Sequence, residues 1–414
     1  MLISAACIPV VAGIVVLAQA PQPQGRALAL TGATVIVDPD AAPIRDGVVL
    51  IEAGAITAVG ERANTPIPHD AAVLDCSGRT ITAGFHNSHV HFFQRKWASA
   101  AAIPADELGR QIQDMLTRYG FTSVFDLGSP GANTRVIRGR IESGEVPGPR
   151  IRTTGEAIIA PGAMPSERIL GILGFMAFPA PEVADEAQAS AAAARLLDEG
   201  ADGIKIHLQP PPPPGSPIAA SAIAAAVGEA HRRGRPVFVH PNSNADVLAA
   251  LRAGVDVIAH TTPGSDPWGE EIIAAMKQRD AALTPTLSLW MHIYRHDRLS
   301  SRDRMVDTAV GQLRAWVEAG GTVLFGSDLG AAGDDPADEY ALMADAGMTW
   351  RQILDSLTTA PAARFGDADR LGRVAPGFQA DLVVLRGDPS EDILALADVR
   401  YTLRAGTIIY RADD

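Results

Sequence analysis

The two ends of the chain share a pattern of short, β-branched apolar runs that are divided by glycine, aspartate and proline. These runs lie in residues 28–59 near the N-terminus and in residues 380–386 and 399–410 near the C-terminus. Short runs bounded by turn-forming residues are typical of β-strands. We therefore predict that residues 25–82 and 375–414 come together as one small, discontinuous β-sandwich domain.

The pattern changes over residues 83–374, where apolar runs alternate with Ala-, Glu- and Arg-rich stretches of helical spacing. Several helical stretches end at a glycine suited to a C-cap, such as Gly200, Gly234 and Gly254. Alternating strands and helices predict a parallel sheet, and about eight repeats fit a distorted TIM (β/α)8 barrel in the α/β class. The predicted strands lie near residues 80–83, 122–126, 151–154, 203–206, 236–239, 255–259, 282–287 and 322–326.

Candidate metal ligands stand at the ends of these predicted strands. His89 and His91 are two residues apart, so in an extended chain both point the same way and can form half of a metal site. The other candidates belong to other predicted barrel strands: Lys205, His240, His260 and Asp328. Because active sites of such barrels lie at the carboxyl ends of the strands, we expect these side chains to reach one centre. Taken singly, a histidine at a strand end is more often a hydrogen-bonded core residue than a ligand, and Asp328 alone could be a helix N-cap.

Lys205 is unusual among these candidates. It is one of three lysines in the chain and lies between two isoleucines in a predicted core strand. Burial disfavours the charged ammonium and therefore lowers the pKa of a lysine. A neutral amine can take up CO2 to form a carbamate, whose anionic oxygens are able to bridge two cations. The alternative is a lysine that pairs with Asp328 or with another carboxylate.

Composition and charge limit the partners. The 414-residue chain carries a formal net charge of −13 and is 47% hydrophobic. Without a basic stripe it lacks the counterion release that drives nucleic-acid binding, so we expect a small-molecule substrate instead. The sequence contains neither a G-x-S-x-G motif nor a P-loop, which argues against a serine hydrolase and a P-loop enzyme.

The N-terminal segment has the pattern of a targeting signal. Residues 2–20 are almost wholly apolar and end in the small-x-small sequence Ala18-Gln19-Ala20. This pattern predicts a signal peptide within residues 1–24 and an exported protein, periplasmic or secreted. An uncleaved anchor is the alternative, and no other stretch is apolar for long enough to span a bilayer, so we expect no stable span in the mature protein.

Four stretches carry motifs of a known family: DCSGRTITAGFHNSHVH at 75–91, GFTSVFDLG at 120–128, GADGIKI at 200–206 and LGRVAPGFQADLVVL at 371–385. With these motifs the chain resembles the amidohydrolase superfamily, in particular its imidazolonepropionase-like and prolidase-like metal-dependent hydrolases. The resemblance covers nearly the whole chain. It implies a distorted TIM barrel with a small β-sandwich from both termini, and relatives commonly assemble as homo-oligomers.

The resemblance also implies a binuclear site with two divalent metal ions, usually zinc. His89 and His91 would bind one metal, and His240 and His260 the other. A carboxylated Lys205 would bridge the two metals, and Asp328 would touch the first one. The chain departs from the family pattern at Ala83, at Asn87, where an aspartate is frequent, and at Ala259, where many relatives have glutamate. All six ligand positions are kept, so these departures concern substrate contacts.

The predicted reaction is hydrolysis of an amide whose leaving group is an amino acid, as in a dipeptide or an N-acyl amino acid. A hydroxide between the metals would attack the carbonyl, and Asp328 would take the proton and return it to the leaving group. The candidate substrate contacts lie in the loop after Lys205 and after the seventh strand: His207, Trp290, His292 and Tyr294. Structural roles and helix packing are the alternatives for these residues.

Three other functions stay open. Ester, lactone or cyclic-amide hydrolysis is chemically close and would use the same binuclear site. A deaminase would use one metal, against which Lys205 argues. A non-catalytic binding protein on a decayed barrel is the third alternative, and the intact ligand set argues against it.

Overall fold

The structure is a computed structural model and describes residues 26–164, 170–171, 174–210, 212, 215–293, 299–331 and 335–413, without the side chains of residues 299–302. The predicted signal peptide and Tyr294 lie outside the described residues. No helix among the described residues has the length and apolarity needed to cross a membrane.

Strands from both ends of the chain share one sheet of eight strands, ordered β16-β15-β14-β5-β1-β2-β3 with β4 beside β1. Its strands are β1 Leu28–Val35, β2 Ile44–Glu52, β3 Ala55–Glu61, β4 Ala72–Asp75, β5 Thr80–Ala83, β14 Leu382–Leu385, β15 Val399–Arg404 and β16 Thr407–Arg411. The two ends meet where β5 pairs antiparallel with β14, Ala83 lying opposite Leu382. A second sheet facing this one is not assigned among the described residues, so the sandwich stays a prediction.

The middle of the chain contributes eight parallel strands in two sheets, of three and five strands. They are β6 Phe85–Val90, β7 Phe121–Asp126, β8 Arg150–Thr153, β9 Ile204–His207, β10 Val237–His240, β11 Val257–Ala259, β12 Ala282–Thr284 and β13 Thr322–Val323. Backbone hydrogen bonds reach across both gaps between the sheets. Ile158 N donates to Lys205 O at 2.8 Å, and Ser88 N donates to Phe325 O at 2.7 Å. One closed ladder of strands is not assigned within the described ranges.

Helices separate most of these strands. They are α1 Ala105–Met115, α2 Gly131–Glu142, α3 Glu186–Asp198, α4 Ala220–Arg232, α5 Asn244–Ala253, α6 Glu270–Gln278, α7 Leu287–Ile293, α8 Leu299–Glu318, α9 Ala337–Asp345, α10 Trp350–Leu357 and α11 Thr359–Arg364, with 3-10 turns at Arg62–Asn64, Arg95–Trp97, Thr117–Tyr119 and Ile393–Ala397. Helix α5 shows why such segments form. Ser243 and Asp246 build a capping box at its start, and Gly254 ends it with φ of +100°.

The first predicted barrel strand is misplaced, because the chain changes sheets at Gly84. The predicted run at 80–83 is β5 of the terminal sheet, and the first barrel strand is β6. A Cβ on Gly84 would lie 2.3 Å from Thr122 Oγ1, so only glycine lets the chain pass this close to β7. The seventh predicted strand also ends early, at Thr284, because Thr286 adopts a φ of +48° before α7 begins.

The interior between the parallel strands is apolar below the level of the candidate ligands. Phe125, Phe238, Val257, Ala259 and Leu324 form one buried cluster there. Burying one such large side chain contributes about 1.5–3 kcal/mol. His89, Lys205 and His260 are buried as well, so charges among them are poorly screened.

Candidate metal centre

A cluster of metal-ligating side chains lies at the carboxyl end of the parallel strands. His89 lies in β6, His91 follows that strand, and Asp328 lies in the turn after β13. Asp328 Oδ1 lies 2.7 Å from His91 Nε2 and 3.3 Å from His89 Nε2. All three residues are buried, and their ligand atoms lie within 4.8 Å of one another. One divalent cation can bind this set of nitrogen and oxygen donors.

Asn87 ties the two segments of this cluster together. Its Oδ1 accepts hydrogen bonds from the backbone N–H groups of His89 at 3.1 Å and Ser327 at 3.3 Å. Its Nδ2 donates to Ser327 Oγ at 2.6 Å. An amide combines a donor and an acceptor, which a carboxylate cannot do. Asn87 therefore fixes the turn that carries Asp328 against β6, and this departure from the family pattern lies within the candidate metal cluster.

The remaining predicted histidines continue the cluster. The ring of His260 lies 4.6 Å from that of His89 and 4.4 Å from that of His240. Burial lowers the pKa values of His89, His240 and His260 well below the ordinary value for histidine, and the neighbouring cationic groups lower them further. The rings are therefore neutral near pH 7, which is the form that binds metals.

Thr286 fixes the tautomer of His260. The Thr286 hydroxyl donates its hydrogen to Pro285 O at 2.8 Å, so its oxygen accepts from His260 Nδ1, which lies 2.7 Å away. His260 then carries its proton on Nδ1, and Nε2 keeps the lone pair that a metal needs. His260 and Thr286 both have positive φ, +93° and +48°. Such strain costs about 1–3 kcal/mol per residue and persists only where the surroundings hold it.

Lys205 lies beside the histidines and is buried without a polar partner among the described residues. The residue is 2% exposed, and its Nζ has no hydrogen-bond partner among the described residues. Burial lowers the pKa of Lys205 to about 7, and the carboxylate of Asp328 opposes this shift. The alternative that Lys205 forms an ion pair with Asp328 is not observed within the described part of the chain. A large fraction of Lys205 is therefore a neutral amine near pH 7.

The donor set fits the metal site that the family implies. Buried polar atoms normally have partners, yet three atoms in this cluster have none among the described residues: His89 Nδ1, His91 Nδ1 and Lys205 Nζ. Unpartnered buried donors and acceptors are costly. Their concentration at one point is what divalent cations and a carbamate on Lys205 would compensate.

A buried carboxylate that the sequence analysis missed stands close to His91. Asp126, at the end of β7, accepts hydrogen bonds from the hydroxyls of Ser129, Thr134 and Thr153. Burial raises the pKa of Asp126, and those hydrogen bonds and His91 oppose the shift. Its position at a strand end was the available signal, since the other candidates were found by the same rule.

Of the predicted substrate contacts, His207 lies beside His240, and Trp290 lies near His260. His207 stacks on His240 with ring centroids 3.8 Å apart, and burial lowers the pKa of His207 to about 3. Trp290 lies 6.2 Å from His260 and donates from Nε1 to Thr261 Oγ1 at 2.8 Å. His292 lies two residues further along α7, about 200° around the helix axis from Trp290. The roles of His207, Trp290 and His292 as substrate contacts stay predictions.

The sequence did not predict a pair of phenylalanines, Phe93 and Phe175, that lies beside His91. The ring of Phe93 stacks on His91 with centroids 4.4 Å apart, and Phe175 packs edge-on against Phe93 at 4.6 Å. Met176 N donates to Phe93 O at 2.8 Å, which joins the loop after β8 to the segment after β6. Both phenylalanines are half-buried and give the cluster an apolar border.

Comparison with known proteins places this geometry in context. The model of the "Amidohydrolase family" matches residues 80–410. Ochratoxinase of Aspergillus niger is 23% identical over 401 residues, covering 87% of this chain and 82% of the relative. The predicted resemblance to amidohydrolases is therefore confirmed.

Solved structures agree in fold. A Xaa-Pro dipeptidase with methionine bound in its active site matches with a TM-score of 0.79 and 23% identity, covering 93% of this chain and 100% of that chain. A prolidase complexed with N-methylphosphonate-L-proline matches with a TM-score of 0.75 and 26% identity, again over 93% of this chain and 100% of that chain. These neighbours imply a TIM-like barrel for the mixed α/β fold.

Proposed function

The chain belongs to the amidohydrolase family, and on this premise we propose that it is a binuclear metal-dependent hydrolase that cleaves amides with an amino-acid leaving group. One observation carries the proposal. Neutral buried histidines, an unpartnered lysine and a carboxylate converge at the carboxyl end of the parallel strands. Buried polar atoms without a partner are uncommon, and those of His89, His91 and Lys205 lie in one cluster of the described residues.

The ligands divide into two sets around Lys205. His89, His91 and Asp328 would hold one cation, and His240 and His260 the other. The neutral amine of Lys205 would form a bond to the carbon of CO2 and lose one proton to water, which would leave an anionic carbamate as a ligand for the cations. When bound, two divalent cations supply Lewis acidity and make hydroxide available near neutral pH.

The residues of the chain then guide the proton. Asp328 accepts a proton from the attacking water and delivers it to the leaving nitrogen as the carbon–nitrogen bond breaks. Asn87 holds the Asp328 turn in place for this transfer. Because the lone pairs of the ligand histidines would be bound to metal, Asp328 is the group in the cluster that is suited to accept a proton.

The border of the site supports an amide with an apolar part. Phe93 and Phe175 lie on the side of His91, and Trp290 lies on the side of His260. A substrate whose carbonyl lies between the two ligand sets would place its flanking groups against these rings. The named activities of the relatives, an ochratoxinase and a Xaa-Pro dipeptidase, agree with this chemistry.

A screen of the zinc-loaded protein against dipeptides and N-acyl amino acids tests the proposal. Mass spectrometry should detect a free amino acid that disappears when a chelator is added. The matched control is Asp328→Asn with verified metal content. If no amide is cleaved while an ester or lactone is, the amidase proposal is wrong and the hydrolase site remains.

Further predictions belong to this proposal. We propose that the metal is zinc, that the eight parallel strands close as a distorted barrel over residues 83–374, that residues 25–82 and 375–414 form a sandwich domain, and that the chain assembles as a homo-oligomer. Residues 1–24 would direct export. Elemental analysis, light scattering and N-terminal sequencing of the exported protein test the metal, the assembly and the cleavage.

A further inference from the structure

A second buried carboxylate lies behind the metal centre and has no part in the proposed reaction. Glu339 of α9 is fully buried, yet its oxygens accept three hydrogen bonds from one short segment. Leu287 N donates at 2.9 Å, and Ser288 donates from N and from Oγ, each at 2.8 Å. Leu287 and Ser288 are the first residues of α7, whose N–H groups have no acceptor inside the helix.

This anchored segment leads directly to the ligand His260. Thr286, which precedes Leu287, holds the proton of His260 on Nδ1 while adopting a φ of +48°. A β-branched residue rarely adopts this conformation, so an external restraint is required to keep it. The bonds from Leu287 and Ser288 to Glu339 supply that restraint. Trp290 of the same helix adds a second link, because its Nε1 donates to Thr261 beside His260.

We propose that Glu339 is a positioning residue for the second metal ligand set and acts on His260 through α7 and Thr286. If the carboxylate is lost, one buried N–H group of α7 loses its acceptor and the turn is free to relax. The Thr286 hydroxyl then moves away from Nδ1, and His260 populates the tautomer that cannot ligate through Nε2. This inference rests on the proposed function in one respect, namely that His260 binds a metal ion.

The test compares Glu339→Gln with Thr286→Val, which removes the hydroxyl directly. Each variant is expected to weaken one of two Zn²⁺ binding steps about 10–100-fold, as measured by competition with a chromophoric chelator. Because both changes act through one link, the double variant should bind Zn²⁺ no more weakly than Thr286→Val. Losses that multiply in the double variant would contradict the link.

Two control variants sharpen this result. Asp338→Asn removes an exposed carboxylate from the same helix and should leave both Zn²⁺ steps unchanged. Thr286→Ser keeps the hydroxyl and should bind within about threefold of the wild type. If Glu339→Gln fails to fold, Ser288→Ala, which deletes one of the three bonds, should still weaken the same step, and an unchanged step would overturn the proposal.

The ¹⁵N chemical shifts of the His260 ring give a readout that does not depend on metal or activity. The wild type should show a proton on Nδ1, and Glu339→Gln should show a mixture of tautomers. An unchanged tautomer in Glu339→Gln overturns this inference, even if the wild type binds zinc. A wild type that binds no zinc overturns the proposed function, while the ring shifts still decide the role of Glu339.

Discussion

The parallel strands bury charged side chains at both of their ends, but the two ends treat them differently. At the carboxyl end, Lys205 Nζ is buried without a hydrogen-bond partner among the described residues, and Asp328 Oδ1 lies 2.7 Å from His91 Nε2 and 3.3 Å from His89 Nε2. At the amino end, Arg150 of β8 forms a two-pronged ion pair with Asp381 and also donates to Gln379. The ion pair of Arg150 and Asp381 joins β8 to the segment before β14, whereas the buried Lys205 amine has no such partner within the described ranges.

The amino-end network links the parallel strands to the C-terminal part of the chain. Arg152 Nη1 lies 2.6 Å from Asp367 Oδ2, and Arg370 contacts the other oxygen of the same carboxylate at 2.5 Å. Asp381 also accepts from Ala405 N at 2.8 Å. A buried charge is therefore by itself no sign of a functional site, and a missing partner is the more informative observation.

The largest expected effect comes from the carboxylate of Asp328, at the carboxyl end of the parallel strands. Asp328→Asn keeps the shape and one oxygen donor but cannot accept the proton. We expect kcat to fall about 10²–10⁴-fold, the usual contribution of general acid–base catalysis. Steady-state kinetics with metal content measured on the same sample checks this. Full activity with full metal content would remove Asp328 from the proton pathway.

A substitution in the ion-pair network at the amino end should lower the stability of the protein but leave its catalysis unchanged. Arg150→Met leaves Asp381 buried beside Gln379 without its cation, which we expect to lower the free energy of unfolding by about 3 kcal/mol. Urea unfolding gives this value, and kcat of the folded fraction should match the wild type. A loss of kcat without a loss of stability would mean that the two ends are not separate in role.

A smaller effect is expected at the apolar border of the metal centre. Phe175→Leu removes the ring that packs on Phe93 but leaves the stacking of Phe93 on His91. We expect KM for a substrate with an aromatic acyl group to rise about threefold to tenfold, with kcat little changed. Kinetics with paired aromatic and small acyl substrates separates this from a general loss, which would affect both equally.

The smallest effect concerns acid. Burial opposes ionisation of Asp367, but Arg152 and Arg370 outweigh it, so the pKa of Asp367 lies below its ordinary value. A depressed pKa stabilises the fold above the unfolded pKa of about 4, and this stability is lost as the pH falls through the folded value. The wild type should therefore lose stability faster than Asp367→Asn between about pH 5 and pH 3. Parallel slopes in urea titrations would contradict this.

The sequence predicted those site residues that lie at the carboxyl ends of the predicted parallel strands. Histidines and an aspartate at the ends of alternating strands were expected to converge, and His89, His91 and Asp328 do so. The pattern of apolar runs did not predict the change of sheet at Gly84. That change depends on a close approach to Thr122, which the local sequence does not show. The shared pattern of short apolar runs predicted that the two ends of the chain form one β-domain, but it did not predict the order of their strands in the sheet.

The residues that hold the ligands in place were beyond the reach of the sequence. Glu339 contacts Leu287 across 52 positions, and Asn87 contacts Ser327 across 240. In the sequence Glu339 is one of several acids at a helix start, and Thr286 follows a proline with no mark of its φ. These roles depend on which segments meet in three dimensions, and they became visible only as hydrogen bonds.

The most direct test of the account is a zinc titration of the metal-free protein in bicarbonate, followed by native mass spectrometry. The wild type should take up about two zinc ions per chain, together with the mass of one CO2. Lys205→Met should lose the CO2 and at least one zinc ion while remaining folded. A wild type that binds no zinc, or a Lys205→Met protein that binds zinc as the wild type does, would contradict the claim that the unpaired donors serve a binuclear metal site.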